Sequence, residues 1–321
     1  MASQESSMPF IRNMASSALD SLRTFLSSKA ISTNLSTLDT LKLWKGLFYA
    51  LWMCDRPLPQ QQLCTDLSEL IWVLPADGDD DAVPRWLRAF WATMAREWTT
   101  GIDVLRMEKF LLLVRRMLGA SLVWMQVREE TKKTNNKKRT ASGKSKNAST
   151  TTTAAESGVV RYDAQRVEVV LTLLADWPFR PDEESRREDE EDDLMPKTVP
   201  VGLKLHALDI WVDEAEKAGL LLADDDEEKA GAGDEEAEEE KKKTRKSTRT
   251  KKTEKKKDDS SLSGREVLER INDLVDTLNS QTLSKAVRIR SKESLADDRL
   301  PWNEKEEGAE KDDGEWGGLD D

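Results

Sequence analysis

Apolar residues recur at helical spacing along much of this chain and predict an α-helical protein. On one face of residues 41–52, at 100° per residue, lie Leu41, Trp44, Leu47, Phe48, Leu51 and Trp52. Similar stripes occupy residues 10–26, 63–74, 86–94, 107–118, 167–174, 203–211 and 267–278. No segment alternates with a period of two for long enough to predict a strand, so the pattern favours an all-α fold.

Helix-ending signals separate these stripes. Ser36, followed three residues later by Asp39, is typical of a helix start, and Asp163 can cap another helix. Pro57 requires a break near residue 55, and Gly219 is suited to end the helix before it. Helices of roughly 12–18 residues joined by short loops predict a HEAT- or armadillo-like array. The array must be irregular, because no clean internal repeat is present.

Blocks of charge divide the chain. Charged residues make up 35% of it, and several stretches have almost nothing to bury. We therefore predict a helical part (1–130), a disordered basic insert (131–160), a continuing helical part (161–222) with an acidic insert (181–198), a disordered acidic-then-basic block (223–263), an amphipathic helix (264–287) and an acidic disordered tail (288–321).

The charge distribution also restricts location and partners. The net charge of −12 argues against a protein whose whole surface binds nucleic acid, so any such contact must be local. Basic tracts at residues 132–146 and 241–257 favour nuclear or nucleolar targeting, although the second could be a linker that pairs with the acidic block before it. Neither a membrane-spanning run nor a secretory signal is recognisable, so we expect no membrane partner.

Signals for catalysis are weak. We interpret Cys54 and Cys64 as reduced core thiols, and the single histidine, His206, as a structural residue. Gly143 lies in a GKS triplet, but a phosphate-binding loop would need glycine where Lys138 stands. We expect no catalytic residue, no cofactor, no metal and no small-molecule substrate, although an enzyme using Cys54 is a third class to exclude.

A local excess of basic residues marks a candidate binding surface. Residues 82–128 carry eight arginines and lysines against three acids. Arg106, Lys109 and Arg116 fall within roughly 80° of each other on the predicted helix after Asp103, and such a stripe can contact phosphates. The alternative is that these side chains lie along the edge of the core with their charged ends in water.

Two further features are candidate contact points. Gly46 lies inside a helix, where glycine costs about 1 kcal/mol relative to alanine, so we expect a neighbouring helix backbone, or else a ligand, to approach it. Lys45 beside it joins the candidate binding residues. Trp302 and Trp316 stand alone in the acidic tail and are candidate anchors for a partner groove, unless the tail is simply flexible.

Three blocks of the sequence carry a family resemblance. They are LKLWKGLFYALWMCDRPLPQQQL, then WLRAFWATMAREWTTGIDVLRMEKFLLLVRRML, then VPVGLKLHALDIWVDE. In this order they closely resemble blocks of the eukaryotic ribosomal RNA-processing protein 1 family, a nucleolar family also described as Nop-fifty-two-like. They cover much of residues 36–130 and 200–222, and they leave the inserts and the tail uncovered.

The resemblance implies a helical-repeat-like fold, a location in the nucleus and nucleolus, and a part in maturing precursor rRNA of the large (60S) subunit. It implies an assembly factor rather than a nuclease. We therefore expect a helical scaffold for pre-60S assembly factors, with pre-rRNA as a further candidate partner. The competing hypothesis is a helical-repeat adaptor or chaperone for basic nuclear proteins, which would use the acidic blocks.

Overall fold

The computed structural model describes residues 8–32, 34–75, 82–127, 160–181, 194–222 and 261–303. These residues form α1 (Met8–Ser27), α2 (Lys29–Ser32), α3 (Thr37–Trp52), α4 (Pro57–Glu69), α5 (Ala82–Thr100), α6 (Met107–Trp124), α7 (Ala164–Asp176), α8 (Val201–Lys217), α9 (Gly264–Gln281) and α10 (Lys285–Leu295). The described residues also form two short 3-10 helices, Leu70–Trp72 and Val104–Arg106. A small antiparallel sheet consists of the strands β1 (Tyr162–Asp163) and β2 (Ser261–Leu262).

The helices from α3 onward form two layers. Helices α3, α5, α7 and α9 lie side by side in the first layer, and α4, α6, α8 and α10 lie in the second. Neighbours within a layer run parallel: from α6 to α8, Leu111 meets His206 and Arg115 meets Glu214, later residue with later residue. The predicted all-α, HEAT-like array is confirmed. None of the described helices is long and apolar enough to cross a membrane.

Local capping chemistry sets the helix boundaries. The side chain of Ser36 accepts a hydrogen bond from the Asp39 amide at the start of α3, and Asp163 accepts one from the Arg166 amide at α7. Gly219 ends α8 with a φ of 73°, a conformation that is easily adopted only by glycine. These three predicted caps are confirmed.

Aromatic side chains seal the layers together. The Trp44 ring of α3 lies 4.7 Å from that of Trp86 and 5.0 Å from that of Phe90, both on α5. Its indole Nε1 donates to the carbonyl oxygen of Trp86 at 3.0 Å, so this buried polar atom is satisfied. Across the layers, Phe48 stacks on Phe110 of α6 at 4.7 Å. The aromatic stretch of α3 is therefore a packing surface and not an open pocket.

The predicted C-terminal boundaries need correction. Residues 261–262, expected to be part of a disordered block, pair with β1, because β1 offers a free edge beside α7. Residues 285–303, most of them expected in an acidic tail, form α10 and a turn, with Val287 and Leu300 buried. Most of the predicted disordered segments lie outside the described residues.

Ion pairs hold this C-terminal turn on the array. Arg299 bonds to Asp213 at 3.0 Å and to Glu216 at 2.9 Å, both on α8. Asp213 also pairs with Arg115 of α6, so three elements share one network. Burial raises the pKa of Asp213, but its hydrogen bonds to Arg299 and Arg115, together with their charges, outweigh burial and hold the pKa below its usual value. The charge pattern alone did not indicate this pairing, because its members come from distant segments.

Glycines allow close approaches at positions that the sequence did not indicate. A Cβ built on Gly46 would meet no atom within 4 Å, so the predicted approach of a neighbouring helix backbone is wrong within the described part of the chain. At Gly202, in the first turn of α8, a Cβ would lie 2.7 Å from Nε1 of the mostly buried Trp98. Gly202 is therefore one of the glycines that packing requires.

We expect opposite effects when these two glycines are replaced. Gly46→Ala should raise the free energy of unfolding by about 1 kcal/mol, because alanine has the higher helix propensity and its methyl group meets open space. Gly202→Ala should lower it by about 1–3 kcal/mol, because the Trp98 indole must move. Urea unfolding followed by circular dichroism measures both, and equal stabilisation by the two variants would contradict the packing described for α8.

His206 is a structural residue at the α6–α8 contact. Its Nε2 lies 2.9 Å from the carbonyl oxygen of Leu111, so this nitrogen carries a hydrogen and donates to the carbonyl. Its ring stacks near that of Trp98. Burial lowers the pKa of His206 below 6.5, while the Leu111 carbonyl and Asp209 raise it and Arg115 lowers it further. The folded protein therefore disfavours the imidazolium form.

This lowered pKa predicts a loss of stability in mild acid. Stability should be complete above the unfolded-state pKa of about 6.5 and should fall as the pH drops toward the lower folded-state pKa, because only the unfolded chain binds the proton readily in that window. The measurement compares the free energies of unfolding of the wild type and His206→Gln at pH 7 and pH 5. The wild type should lose more, and an equal loss in the variant would exclude His206 as the cause.

Candidate protein-interaction site

Lys109, predicted to lie on an exposed basic stripe, is buried. Its side chain crosses to the end of α3, where Nζ donates to the carbonyl oxygens of Trp52 at 2.7 Å and Cys54 at 2.9 Å. Only 5% of the residue is exposed, and desolvation lowers its pKa although Asp55 raises it. The structure therefore corrects this prediction: Lys109 satisfies the last carbonyls of α3 and cannot face a phosphate backbone.

Arg106 lies on top of the same turn. Its guanidinium carbon is 4.3 Å from the ring centroid of Trp52, and its Nε lies 3.9 Å from a carboxylate oxygen of Asp55. Nη1 lies 3.4 Å from Asp103. Stacking and two acids hold this side chain partly exposed in one orientation. It remains a candidate contact residue, although its charge is largely compensated.

Lys45 and Gly46 lie on the first layer, on α3. Lys45 pairs with the buried Glu97 of α5, and its Nζ is 4.9 Å from the centroid of the Tyr49 ring. Gly46 is exposed. Arg116 is also exposed, but it belongs to α6 in the second layer. The predicted set is therefore divided, and a contact of these residues with RNA stays a prediction.

The two tail tryptophans have different outcomes. Trp302 belongs to the ordered turn after α10, where Asn303 donates to the carbonyl oxygens of Leu295 at 2.6 Å and Asp297 at 3.0 Å. Its side chain is 38% exposed, so it can still contact a partner, but from a fixed position. Trp316 lies outside the described residues.

Sequence reasoning missed a row of exposed apolar side chains. Each helix of the first layer ends at the same edge of the array, where its connection to the second layer begins, through a short turn after α3, α5 and α9 and through residues 177–200 after α7. The exposed large apolar residues of these turns and their flanks are Met53, Leu58, Val104, Leu105, Leu194, Val201 and Leu283, which we call the turn edge. Val104 and Leu105 are 84% and 89% exposed. The helical periodicity of apolar residues could not indicate them, because they lie in the connections between helices or in the first turn of a helix.

Tertiary contacts hold the turns next to one another. Arg106 and Lys109 connect the α5–α6 turn to the α3–α4 turn, as described above. Arg96 of α5 donates to the carbonyl oxygen of Leu194, and Trp98 lies against Gly202, which brings the α7–α8 connection to the end of α5. Leu205 of α8 and Ala286 of α10 line one shallow groove, which places the last turn beside α8. The turn edge is therefore continuous along the array.

The described residues offer little for catalysis. Cys64 is fully buried, and desolvation raises the pKa of its thiol to about 12, so it is no nucleophile at neutral pH. This confirms its place in the core, whereas Cys54 lies only half-buried at the turn. Within the described ranges, no group of three or more histidine, cysteine or acidic residues could hold a metal ion.

The fold and this site define a helical-repeat protein whose exposed features are suited to binding other macromolecules. Comparison with known proteins identifies the family. Residues 5–317 match the family of the nucleolar protein Nop52, and the chain belongs to this family. The resemblance found in the sequence and the nucleolar location that it predicts are confirmed at the level of the family.

Several relatives of this chain carry the name of a ribosomal RNA processing protein. Ribosomal RNA processing protein 1 homolog A of Mus musculus is 31% identical over 181 residues, which are 56% of this chain and 26% of that protein. Homolog B of Homo sapiens is 28% identical over 227 residues, or 68% of this chain and 23% of that protein. The Drosophila melanogaster homolog is 41% identical over 80 residues, 25% of this chain and 11% of that protein. The chain therefore matches about a quarter or less of each of these relatives.

Substitution of Lys109 should separate a structural from a binding role. Lys109→Met keeps the aliphatic stem but leaves the carbonyl oxygens of Trp52 and Cys54 without this donor, so we expect the free energy of unfolding to fall by about 1–3 kcal/mol. Arg116→Met, at an exposed position of the same helix, should change it by less than about 0.5 kcal/mol. Denaturant unfolding measures both. A Lys109→Met variant as stable as Arg116→Met would contradict the capping role.

Proposed function

We propose that the chain is a non-enzymatic nucleolar assembly factor that supports processing of precursor rRNA and assembly of the large ribosomal subunit. It acts as a rigid helical scaffold on which partner assembly factors of the pre-60S particle bind. Membership of the Nop52 family and the names of its relatives support a role in ribosomal RNA processing. The observation that carries the scaffold role is the turn edge.

The turn edge has the physical character of a binding surface. Full burial of a valine or leucine side chain stabilises by about 1.5–3 kcal/mol. Val104 and Leu105 are almost fully exposed in the free protein, so a partner that covers them can gain most of this free energy. Trp52 and Arg106 lie beside them, and tryptophan and arginine are enriched among residues that dominate binding energy. Because Lys109 fixes the turn beneath, a partner pays little entropy to order it.

The polar groups of the site favour a scaffold over an enzyme. Lys109 donates hydrogen bonds to backbone carbonyl oxygens, Arg106 contacts the Trp52 ring and two acids, and Lys45 forms an ion pair with Glu97. Each of these contacts fixes the position of a helix or a turn, and none of these three side chains lines the groove between α8 and α10. Such side chains build a surface of fixed shape, which is what a scaffold for several partners requires.

The scaffold role predicts that charge at the turn edge releases the protein from its particle. In the combined variant Val104→Asp and Leu105→Asp, a partner would have to bury two carboxylates, so association should weaken at least tenfold. The measurement is sedimentation of a cell lysate on a sucrose gradient, with the tagged full-length chain followed by blotting. The wild type should migrate with large-subunit precursors, and the variant should move to the top of the gradient.

A matched control uses exposed leucines at the opposite edge. Leu38 lies at the start of α3 and Leu222 just after α8, and both are exposed. The combined variant Leu38→Asp and Leu222→Asp should still migrate with the precursors. Co-migration of the turn-edge variant would remove the turn edge as the docking site. A wild type that co-purifies with histones or importins, away from precursor particles, would instead support the adaptor alternative.

A further inference from the structure

The solvent-facing side of α5 is formed mainly by arginines. Thirteen of the nineteen residues of this helix are buried, and the remaining positions are Pro84, Arg85, Arg88, Arg96, Thr99 and Thr100. At 100° per residue, the three arginines fall within about 80° of each other, along about 16 Å of the helix. We call them the α5 arginine ridge. They were counted in the local charge excess, but their common exposure is visible only once the buried faces of α5 are known.

Backbone carbonyls orient two of these arginines without neutralising them. Nη1 of Arg85 donates to the carbonyl oxygen of Leu35 at 2.7 Å, and Nη2 of Arg96 donates to that of Leu194. A guanidinium carries five N–H donors, so the bond from Arg96 to Leu194 leaves donors of Arg96 for a ligand. No described carboxylate forms an ion pair with Arg88 or Arg96, whereas Arg299 pairs with three. Within the described part of the chain, Arg88 and Arg96 therefore carry positive charge that no ion pair compensates.

Helix α3 extends this basic surface. The Lys45–Glu97 pair places the exposed side of α3 next to that of α5, and Lys42 lies one turn before Lys45 on the same side. Tyr49 follows one turn later and is 52% exposed. The acids within α3 and α5 themselves are Asp39, which pairs with Lys42, and Glu97, which is buried. A chain with a net charge of −12 therefore has a strongly basic area on its first layer.

We infer that the outer face of α3 and α5, centred on Arg88 and Arg96, binds the phosphate backbone of RNA. This inference deepens the proposed function, because it assumes that the RNA is that of the precursor particle. Arginine recognises phosphate through paired N–H donors, and binding releases condensed counterions. Tyr49 offers an exposed ring on which an unpaired base can stack.

The composition of this face favours RNA over an acidic protein. The exposed positions of α5 include no large apolar side chain, so a protein partner would gain little from hydrophobic burial there. Phosphate binding needs no such burial, because its free energy comes from counterion release. Protein docking and RNA binding are therefore assigned to different parts of the molecule, the turn edge and the α5 arginine ridge.

Charge reversal at two exposed arginines tests this inference. The full-length chain carrying Arg88→Glu and Arg96→Glu is compared with the wild type for binding to a fluorescently labelled RNA hairpin with a stem of about two turns. Fluorescence anisotropy gives the affinity at several KCl concentrations between about 50 and 200 mM. Loss of two phosphate contacts should weaken binding at least tenfold and reduce the slope of log K against log[salt] by about 1.5–2.

The control carries the same change of net charge in the other layer. Lys285 and Lys292 are exposed on α10, and the combined variant Lys285→Glu and Lys292→Glu should bind with an affinity within about threefold of the wild type and with an unchanged slope. The basic tracts are intact in all three proteins, so a difference between the variants reports on the ridge. Circular dichroism and thermal unfolding check that each variant is folded.

Three outcomes would overturn the assignment. Equal weakening by both double variants would mean that only net charge matters, and unchanged binding by the ridge variant would place the RNA contact elsewhere. If polyglutamate displaced the RNA from the wild type as well as unlabelled RNA does, the ridge would be a site for acidic protein. Each of these results is compatible with a wild type that still migrates with large-subunit precursors, so failure of the ridge and failure of the proposed function are distinguishable.

Discussion

The packing of aromatic side chains between α3, α5 and α6 is the constraint on which the rest of the structure depends. Trp44 fills the space between α3 and α5, and Phe48 joins α3 to α6. Large rings provide much buried area, and the bond from the Trp44 indole to a backbone carbonyl removes the cost of its one polar atom. Because this contact buries the apolar faces of the helices, only the turns and the narrow polar sides of the helices remain exposed to bind other molecules.

This division explains why binding features lie where they do. A two-layer array brings the turns between layers to one edge, so short apolar segments that are far apart in the sequence, such as those of Val104 and Leu283, become parts of one surface. The outer side of a mostly buried helix is narrow, so a few arginines are enough to give α5 a uniform charge. The fold supplies rigidity, and the exposed residues supply specificity.

Predictions from local chemistry succeeded, and those that depended on a neighbour often failed. The caps at Ser36, Asp163 and Gly219 were predictable, because each is determined within four residues. Lys109 and Gly46 were misplaced, because a helical periodicity gives a residue's angle on its own helix but not what lies beside it. Lys109 lies at the edge of the apolar face of α6. There, carbonyl oxygens at the end of α3 accept hydrogen bonds from its ammonium group.

By itself, the sequence determined the helices, their apolar faces, the family and the location of long charged segments, because periodicity and composition are properties of the chain alone. Only the tertiary structure decided which polar residues are free to bind. The groups that other helices place beside a basic side chain decide whether it is buried as a cap, as Lys109 is, or left exposed, as Arg88 is. That choice depends on contacts between residues tens of positions apart, which no local pattern encodes.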